Sequence, residues 1–382
     1  MAVTVDPVTL AAELVRCPSV TPEEAGALRL LEARLGAAGF SCRRVDRAGT
    51  PNLYARWGRA APVLGFAGHT DVVPPGDHAR WHVDPFAGAI RDGVLWGRGA
   101  VDMKSGVAAF CAAALGYVQS AAPVGSIALL ITGDEEGPAL NGTKAILDWM
   151  GEAGERMDAC VVGEPTCTDR LGDMIKIGRR GSLTARIAAS GRQGHTAYPH
   201  RAANPLPVLV RFLDRVAAAR LDGGSAHFDP STLAITTIDT GNPASNVVPA
   251  AATASLNVRF GDAQTAAALT AWLERCAAEA CDGTGVSLEV ATRCSGEAFV
   301  TEPGSFVDLI QAAVEAETGI QPRLSTSGGT SDARFIRHHC PVVECGLVGR
   351  HMHAADERVE TAQIAGLAKI YRRIIAGFFA QQ

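Results

Sequence analysis

Apolar positions in the first third of the chain come in short unbroken runs, with helical patterns between them. NLYARW (52–57), PVLGFAG (62–68), SIALLIT (126–132) and DACVVG (158–163) each read as a strand. Runs of this length, bounded by turn signals, suit strands covered on both faces. Asp6-Pro7 reads as an N-cap with Pro at the first helical position. Thr21 and Glu24 fit a capping box ahead of the stripe Leu28, Leu31 and Leu35. Helices are predicted over 104–119 and after Asn141. Strands alternating with helices predict an α/β architecture with a mostly parallel sheet covered on both faces.

The period changes near residue 181. SLTARIAAS (182–190) alternates apolar with polar, as expected of a sheet with one covered face. A helix follows at 204–219, strands at 232–239 and 252–260, a helix at 263–280 and a strand at 286–292. The order β-α-β-β-α-β predicts a ferredoxin-like unit. From about 303 the α/β character returns, ending in a helix near 361–378. The predicted organisation is one domain of residues 1–180 and 295–382, interrupted by an inserted domain of 181–294.

Composition narrows the class. The chain has 382 residues, 47% of them apolar and 20% charged, which suits a globular protein with a large core. The net charge is −5, without a basic run or an acidic tail, so no nucleic-acid partner is expected. The apolar stretches fall short of a membrane span, so no membrane is expected either. Asp6 and Glu13 stand where a secretory signal would be basic and then apolar, and a cytoplasmic location is expected. The ten cysteines show no C-x-x-C and no structural-zinc spacing. In a cytoplasmic chain they are expected to be reduced small hydrophobes, with no disulfide or thiol redox role.

Ligand sites of open α/β sheets lie beyond the carboxyl ends of the strands, and here those ends carry unusual residues. Strand 62–68 runs into GHTDVVPPGD, where His69 and Asp71 lie on one side of an extended chain. One can bind a metal while the other holds the imidazole. GRGAVDMKSG (97–106) sets Asp102 in a glycine-rich turn before a helix. ITGDEEG ends the third strand with Asp134, Glu135 and Glu136. VVGEPT (161–166) ends the fourth with Glu164, held extended by Pro165. Taken singly, each is a surface His, an N-cap or a turn carboxylate. Four such strand ends in one domain, with no Arg or Lys beside the Asp-Glu-Glu run, predict a divalent cation among them. Histidine with carboxylates suits zinc, with cobalt or manganese as substitutes. GRHMHAADERVE (349–360) offers His351 and His353 as a late ligand.

In this order, His69-x-Asp71, Asp102, Glu135-Glu136, Glu164 and a late His resemble the dinuclear-zinc aminoacylase and carboxypeptidase-type metallohydrolases over nearly the whole chain. AGHTDVVPPGD, GEPT running into IKIGRRGS, QGHTAYPHRAANP, SNVVP and STSGGTSDARF narrow the likeness. They resemble bacterial members that hydrolyse N-succinyl-LL-2,6-diaminopimelate on the route to diaminopimelate and lysine. The resemblance implies a metallopeptidase-like catalytic zinc domain and an inserted lid/dimerisation domain. It also implies two Zn2+ per subunit, with Co2+ able to substitute. His69 and Glu164 would hold one ion, Glu136 and His353 the other, and Asp102 would bridge them and precede a cis peptide bond. His353 is favoured over His351 because Ala-Ala-Asp-Glu follows it. His351, His338 and His339 are left as structural or surface residues, and Asp134 as a turn residue. Asp71 would orient His69. Glu135 would serve a bridging hydroxide as general base and then as acid.

His195 would donate to the oxyanion in the partner subunit's site, which implies a homodimer. The small-molecule substrate would be recognised by Arg179, Ser182, Tyr198, Asn246, Arg259, Gly329, Thr330 and Arg334. One position departs from the pattern: Gly349 stands where some members carry Asn, so one polar substrate contact has no counterpart here. An acetylornithine deacetylase or a dipeptidase of the same superfamily would share the metal ligands and differ in the substrate-side strings. A non-catalytic zinc-binding protein would have no use for Glu135.

Overall fold

The computed structural model describes residues 5–120 and 124–380. They divide into two compact units. The first comprises Met1–Gly178, Thr301–Ser325 and Ser331–Gln382, and the second Arg179–Val300 and Thr326–Thr330.

The first unit is built on an eight-stranded sheet. Its order is Ser41–Arg44, Asn52–Trp57, Ser126–Thr132, Val63–His69, Ala159–Val162, Val342–Glu344, Met174–Lys176, Arg323–Ser325. The sheet is mixed, with four of its seven strand pairings parallel and three antiparallel. Val63–His69 is parallel to both its neighbours, and Val342–Glu344 is parallel to Ala159–Val162. Asn52–Trp57, however, pairs antiparallel with Ser41–Arg44 and with Ser126–Thr132. An unbroken apolar run reports burial on both faces and says nothing of direction. The short link between Ser41–Arg44 and Asn52–Trp57 allows only an antiparallel pair, since a parallel pair needs a long crossover.

The two central strands, Val63–His69 and Ser126–Thr132, are buried at every position. Phe66 packs against Phe110 with ring centroids 5.7 Å apart, and against Tyr371 at 5.4 Å. It thereby joins the sheet to helices Lys104–Ser120 and Thr361–Ala380. The Tyr371 hydroxyl donates to the Cys345 carbonyl. Gly106, in the first turn of its helix, comes so close to the end of strand Ala159–Val162 that a Cβ there would lie 2.4 Å from the Gly163 carbonyl oxygen.

The N-cap at Asp6 forms, its carboxylate accepting from the Thr9 N–H at 2.9 Å. The capping box at Thr21 and Glu24 does not. Helix Ala27–Ala37 starts later, after Gly26 in the left-handed region. Glu24 accepts from the Leu28 N–H at 3.2 Å, whereas the Thr21 hydroxyl is taken by the Asp71 carboxylate at 2.7 Å.

The second unit holds a four-stranded antiparallel sheet in the order Thr232–Asp239, Ala251–Phe260, Gly181–Ser190, Ser287–Gly296. Helices Pro205–Ala218 and Ala266–Cys281 cover one face, burying Leu209, Phe212 and Leu273 against Ile187, Leu256 and Val258. Strand Gly181–Ser190 alternates between buried and exposed along most of its length, as its sequence does. All ten cysteines are free thiols, six of them buried. No helix among the described residues is long and apolar enough to cross a membrane.

Phe66→Ala should cost about 3–5 kcal/mol, the usual loss for a buried phenylalanine. Urea unfolding monitored by circular dichroism measures it, and an unchanged midpoint would show that the Phe66 cluster does not hold the unit together.

Candidate metal centre

The strand ends of the first unit bring His69, Asp102, Glu135, Glu136, Glu164 and His353 together. His69 is the last residue of Val63–His69, in register with Thr132 at the end of the neighbouring parallel strand. That register delivers the Asp134–Glu136 turn beside it. Asp102 lies in the turn ahead of helix Lys104–Ser120, and the Asp102–Met103 peptide is cis. Its two carboxylate oxygens face different histidines. Asp102 Oδ1 is 3.2 Å from His69 Nε2, and Oδ2 is 3.3 Å from His353 Nε2. His69 Nε2 also lies 3.8 Å from Glu164 Oε1, and His353 Nε2 lies 2.9 Å from Glu136 Oε1. Within 4.8 Å of one another, ligand atoms come from His69, Asp102 and Glu136, and again from His69, Glu135 and Glu164. His69, Asp102 and Glu164 are buried, while the His353 side chain is 49% exposed.

The electrostatics state the problem that this arrangement has to solve. Burial opposes a charge on His69, but the bond to Asp102 and the charges of Asp71, Glu164 and Asp102 outweigh it and raise its pKa well above the usual range. Bonds to Asp102 and Glu136 push His353 up to about 10. Burial works against the Asp102 carboxylate too, yet the two histidines hold its pKa low. Burial and then the charge of Glu164 raise Glu135 well above the usual carboxylate range. The carboxylates draw positive charge to this point, and without a cation the imidazoles must provide it by protonation.

Asp71 works with two different groups. Its backbone carbonyl faces His69 Nδ1 at 2.9 Å, while its carboxylate oxygen is 3.6 Å away. That bond makes Nδ1 a donor and turns Nε2 towards Asp102 and Glu164. The Asp71 carboxylate instead accepts the backbone N–H groups of Glu135 at 3.3 Å and Glu136 at 3.1 Å. It therefore holds the turn that aims both glutamates. Asp134 closes the same loop, accepting from the Leu140 and Asn141 N–H groups.

Glu357 and Arg98 escaped the sequence reading. The Glu357 carboxylate is fully buried and accepts from the backbone N–H groups of Gly99 at 3.1 Å, Val101 at 2.8 Å and Asp102 at 3.1 Å. Arg98 pairs with it at 2.6 Å and reaches the Ala354 carbonyl at 3.2 Å. The pair ties the Asp102 turn to the His353 segment. Lys104 is fully buried as well, donating to the Cys17 carbonyl at 2.7 Å, with burial lowering its pKa to about 8. The available signal was a charge beside each ligand in the chain: Arg98 and Lys104 around Asp102, and Glu357 four residues after His353.

In the second unit, His195 lies opposite Val247 in a short antiparallel pair, next to Asn246. The Ala197 N–H donates to His195 Nδ1 at 3.0 Å, which places the proton of the neutral ring on Nε2. Tyr198 packs edge-on to His195 at 5.7 Å and is half exposed. The Asn246 carbonyl accepts from the Thr196 N–H at 3.1 Å. Arg179 donates to the Gly329 carbonyl at 3.1 Å, and Thr330 follows in the same segment. Ser182 and Arg259 pair across adjacent strands and are joined through Asn257. Arg334 belongs to the first unit, its guanidinium 4.6 Å from the centre of the Phe335 ring.

Residues 65–377 match Peptidase family M20/M25/M40. The chain belongs to that family. A succinyl-diaminopimelate desuccinylase of Cereibacter sphaeroides is 62% identical over 376 residues, covering 98% of this chain and 99% of that one. An M20 family metallo-carboxypeptidase of Sulfolobus solfataricus matches with a TM-score of 0.79 at 16% identity, over 98% of this chain and 100% of that one. A Bacillus subtilis protein described as a dinuclear metal binding peptidase from the M20 family matches with a TM-score of 0.75 at 17% identity, over 97% of each chain. At these identities the two solved structures bear on the fold alone. The chain is thus a metal-dependent hydrolase with the α/β fold of the M20 family.

Glu357→Gln keeps the shape and removes the charge that gathers three N–H groups around Asp102. The expected result is a tenfold to hundredfold loss of metal affinity, the usual range for a residue that orients a ligand. Competition with a chromophoric chelator measures it. Unchanged affinity in a folded variant would make Glu357 a purely structural anchor.

Proposed function

We propose that the chain hydrolyses the amide of N-succinyl-LL-2,6-diaminopimelate, releasing succinate and LL-2,6-diaminopimelate, with two zinc ions per subunit. The observation that carries the metal reading is Asp102, whose two oxygens face two different histidines. His69 and Glu164 would hold one ion beside Asp102 Oδ1, and His353 and Glu136 the other beside Oδ2. Two imidazoles and three carboxylates suit zinc, with cobalt as a substitute. Full-length identity of 62% to a relative named for this reaction supports the substrate.

When bound, the metal pair supplies Lewis acidity at the amide carbonyl and lowers the pKa of water. The side chains do the rest. Glu135 takes a proton from the attacking water as its oxygen bonds to the carbonyl carbon. It returns that proton to the amide nitrogen as the C–N bond breaks, since an amine anion is a poor leaving group. Its raised pKa, from burial and the neighbouring Glu164, suits a group that must hold the proton in between. Asp71 keeps Glu135 aimed through the backbone bond at 3.3 Å. His195 donates Nε2–H to the carbonyl oxygen as it gains negative charge. The substrate's carboxylates fall to Arg179, Arg259 and Arg334, with Ser182, Tyr198, Asn246, Gly329 and Thr330 completing the contacts.

In this reading residues 1–180 and 295–382 form the catalytic zinc domain. Residues 181–294 form a ferredoxin-like lid through which two subunits pair, each lending His195 to its partner. The second unit offers suitable surfaces. Strand Thr232–Asp239 is a sheet edge, with Ile238 60% exposed, and Val210 on helix Pro205–Ala218 is 58% exposed. Unpaired edges with apolar side chains favour pairing with another chain. A biosynthetic reaction of this kind fits a cytoplasmic location.

The deciding assay compares N-succinyl-LL-2,6-diaminopimelate with N-acetylornithine, using metal-stripped and zinc-reloaded protein. Zinc-dependent cleavage of the succinyl substrate alone is expected. Cleavage of acetylornithine instead would sink the substrate assignment and keep the metal chemistry. Glu135→Ala should keep its zinc and lose about 10²–10⁴-fold in kcat, the usual contribution of a positioned acid-base group. Full activity would remove Glu135 as the base. Mixing Glu135→Ala with His195→Ala subunits should restore part of the activity. No restoration would argue against a donor lent by the partner.

A further inference from the structure

The two histidines that face Asp102 are held in different ways. His69 ends a buried strand and is fixed by its sheet. His353 lies in a run of turns ahead of strand Arg358–Glu360, and no helix or strand fixes it. Its backbone is also unusual. His353 and Asp356 both lie in the left-handed region, with φ of 61° and 57°. Residues with a Cβ seldom adopt that conformation, and it persists only where the surroundings over-determine it.

The loop after strand Val63–His69 supplies those surroundings. Arg98 donates to the His353 carbonyl at 3.4 Å and to the Ala354 carbonyl at 3.2 Å. The Trp81 ring backs the Arg98 guanidinium, its centre 5.2 Å away, and an aromatic face attracts such a cation. Trp81 is itself tied down, its Nε1–H donating to the Pro75 carbonyl at 2.9 Å. The next residue, His82, reaches Asp356 twice. Its backbone N–H donates to Asp356 Oδ1 at 2.8 Å, and its Nδ1–H donates to Oδ2. The His82 side chain is 85% exposed, so it adds almost nothing to the core. Its contribution is the bond to Asp356, a residue 274 positions further along the chain.

We infer that Trp81 and His82 are positioning residues for His353. They clamp its turn through Arg98 and Asp356, and so set how tightly the His353 side of the centre holds a divalent cation. A turn left to relax would carry the imidazole away from Asp102 and Glu136, and cation binding would then have to order it again. The inference rests on the reading of His353 as a metal ligand.

Stepwise zinc affinity tests it, by competition with a chromophoric chelator on metal-stripped full-length protein without substrate. His82→Ala should weaken one of the two zinc equivalents about tenfold, the low end for a group that orients a ligand, and leave the other within about twofold. Its Tm should stay at the wild-type value. His82→Asn, whose amide nitrogen can take the place of Nδ1, should recover most of the loss. Trp81→Leu should weaken the same equivalent, and Trp81→Phe, which keeps a ring beside Arg98, should weaken it less. In a His353→Ala background, His82→Ala should leave the remaining equivalent unchanged.

Unchanged stepwise affinities in His82→Ala would overturn the inference, and the exposed position keeps that test valid should Trp81→Leu fail to fold. Equal weakening of both equivalents, or no recovery in His82→Asn, would overturn it as well. Wild type that takes up no zinc would overturn the metal reading and the clamp with it, whereas full wild-type loading that His82→Ala leaves intact would overturn the clamp alone.

Discussion

Everything at the candidate metal centre depends on Asp102 being held between two histidines. Its oxygens lie 3.2 Å from His69 and 3.3 Å from His353, and Glu164 and Glu136 crowd the same imidazoles. So many carboxylates in a buried space repel one another strongly, because the low dielectric leaves them unscreened. The arrangement persists only with positive charge inside it. Without a cation that charge has to come from the imidazoles, which explains why both histidines hold their protons so firmly. A bound divalent cation would supply that charge in their place.

The surrounding structure is built to keep this centre from relaxing. The Asp71 carboxylate grips the backbone behind Glu135 and Glu136, and the Glu357 carboxylate grips the backbone behind Asp102. Both act through N–H groups, which fix a turn more rigidly than a single side-chain contact does. Their own charges are balanced in different ways. Glu357 is paired with Arg98, while Asp71 accepts the Thr21 hydroxyl and lies near His69. The potential capping residue Thr21 is thus spent on the active turn, and helix Ala27–Ala37 begins after Gly26 instead.

In the second unit Arg259, on strand Ala251–Phe260, keeps a buried Nη1 without a hydrogen-bond partner among the described residues. Asn257 has the same place here as Asp71 and Glu357 have in the first unit, as a polar group that aims another.

The sequence by itself determined a good deal. Buried strands announce themselves as apolar runs, and residues that end them project beyond the sheet, so His69, Asp102, Glu135, Glu136 and Glu164 were legible as a set. Strand Gly181–Ser190 was legible from its alternation, because one face meets helices and the other does not. Strand direction was not, because hydrophobic periodicity is the same whichever way a strand runs, and the sheet proved mixed. Nor were Glu357, Arg98 and Asn257 legible as supports, since a polar residue far along the chain carries no mark of the backbone it will meet. Which oxygen of Asp102 faces which histidine, and which atom of Asp71 faces His69, only the folded chain decided. Those contacts join residues up to 251 positions apart and depend on the exact placement of turns that local sequence leaves free.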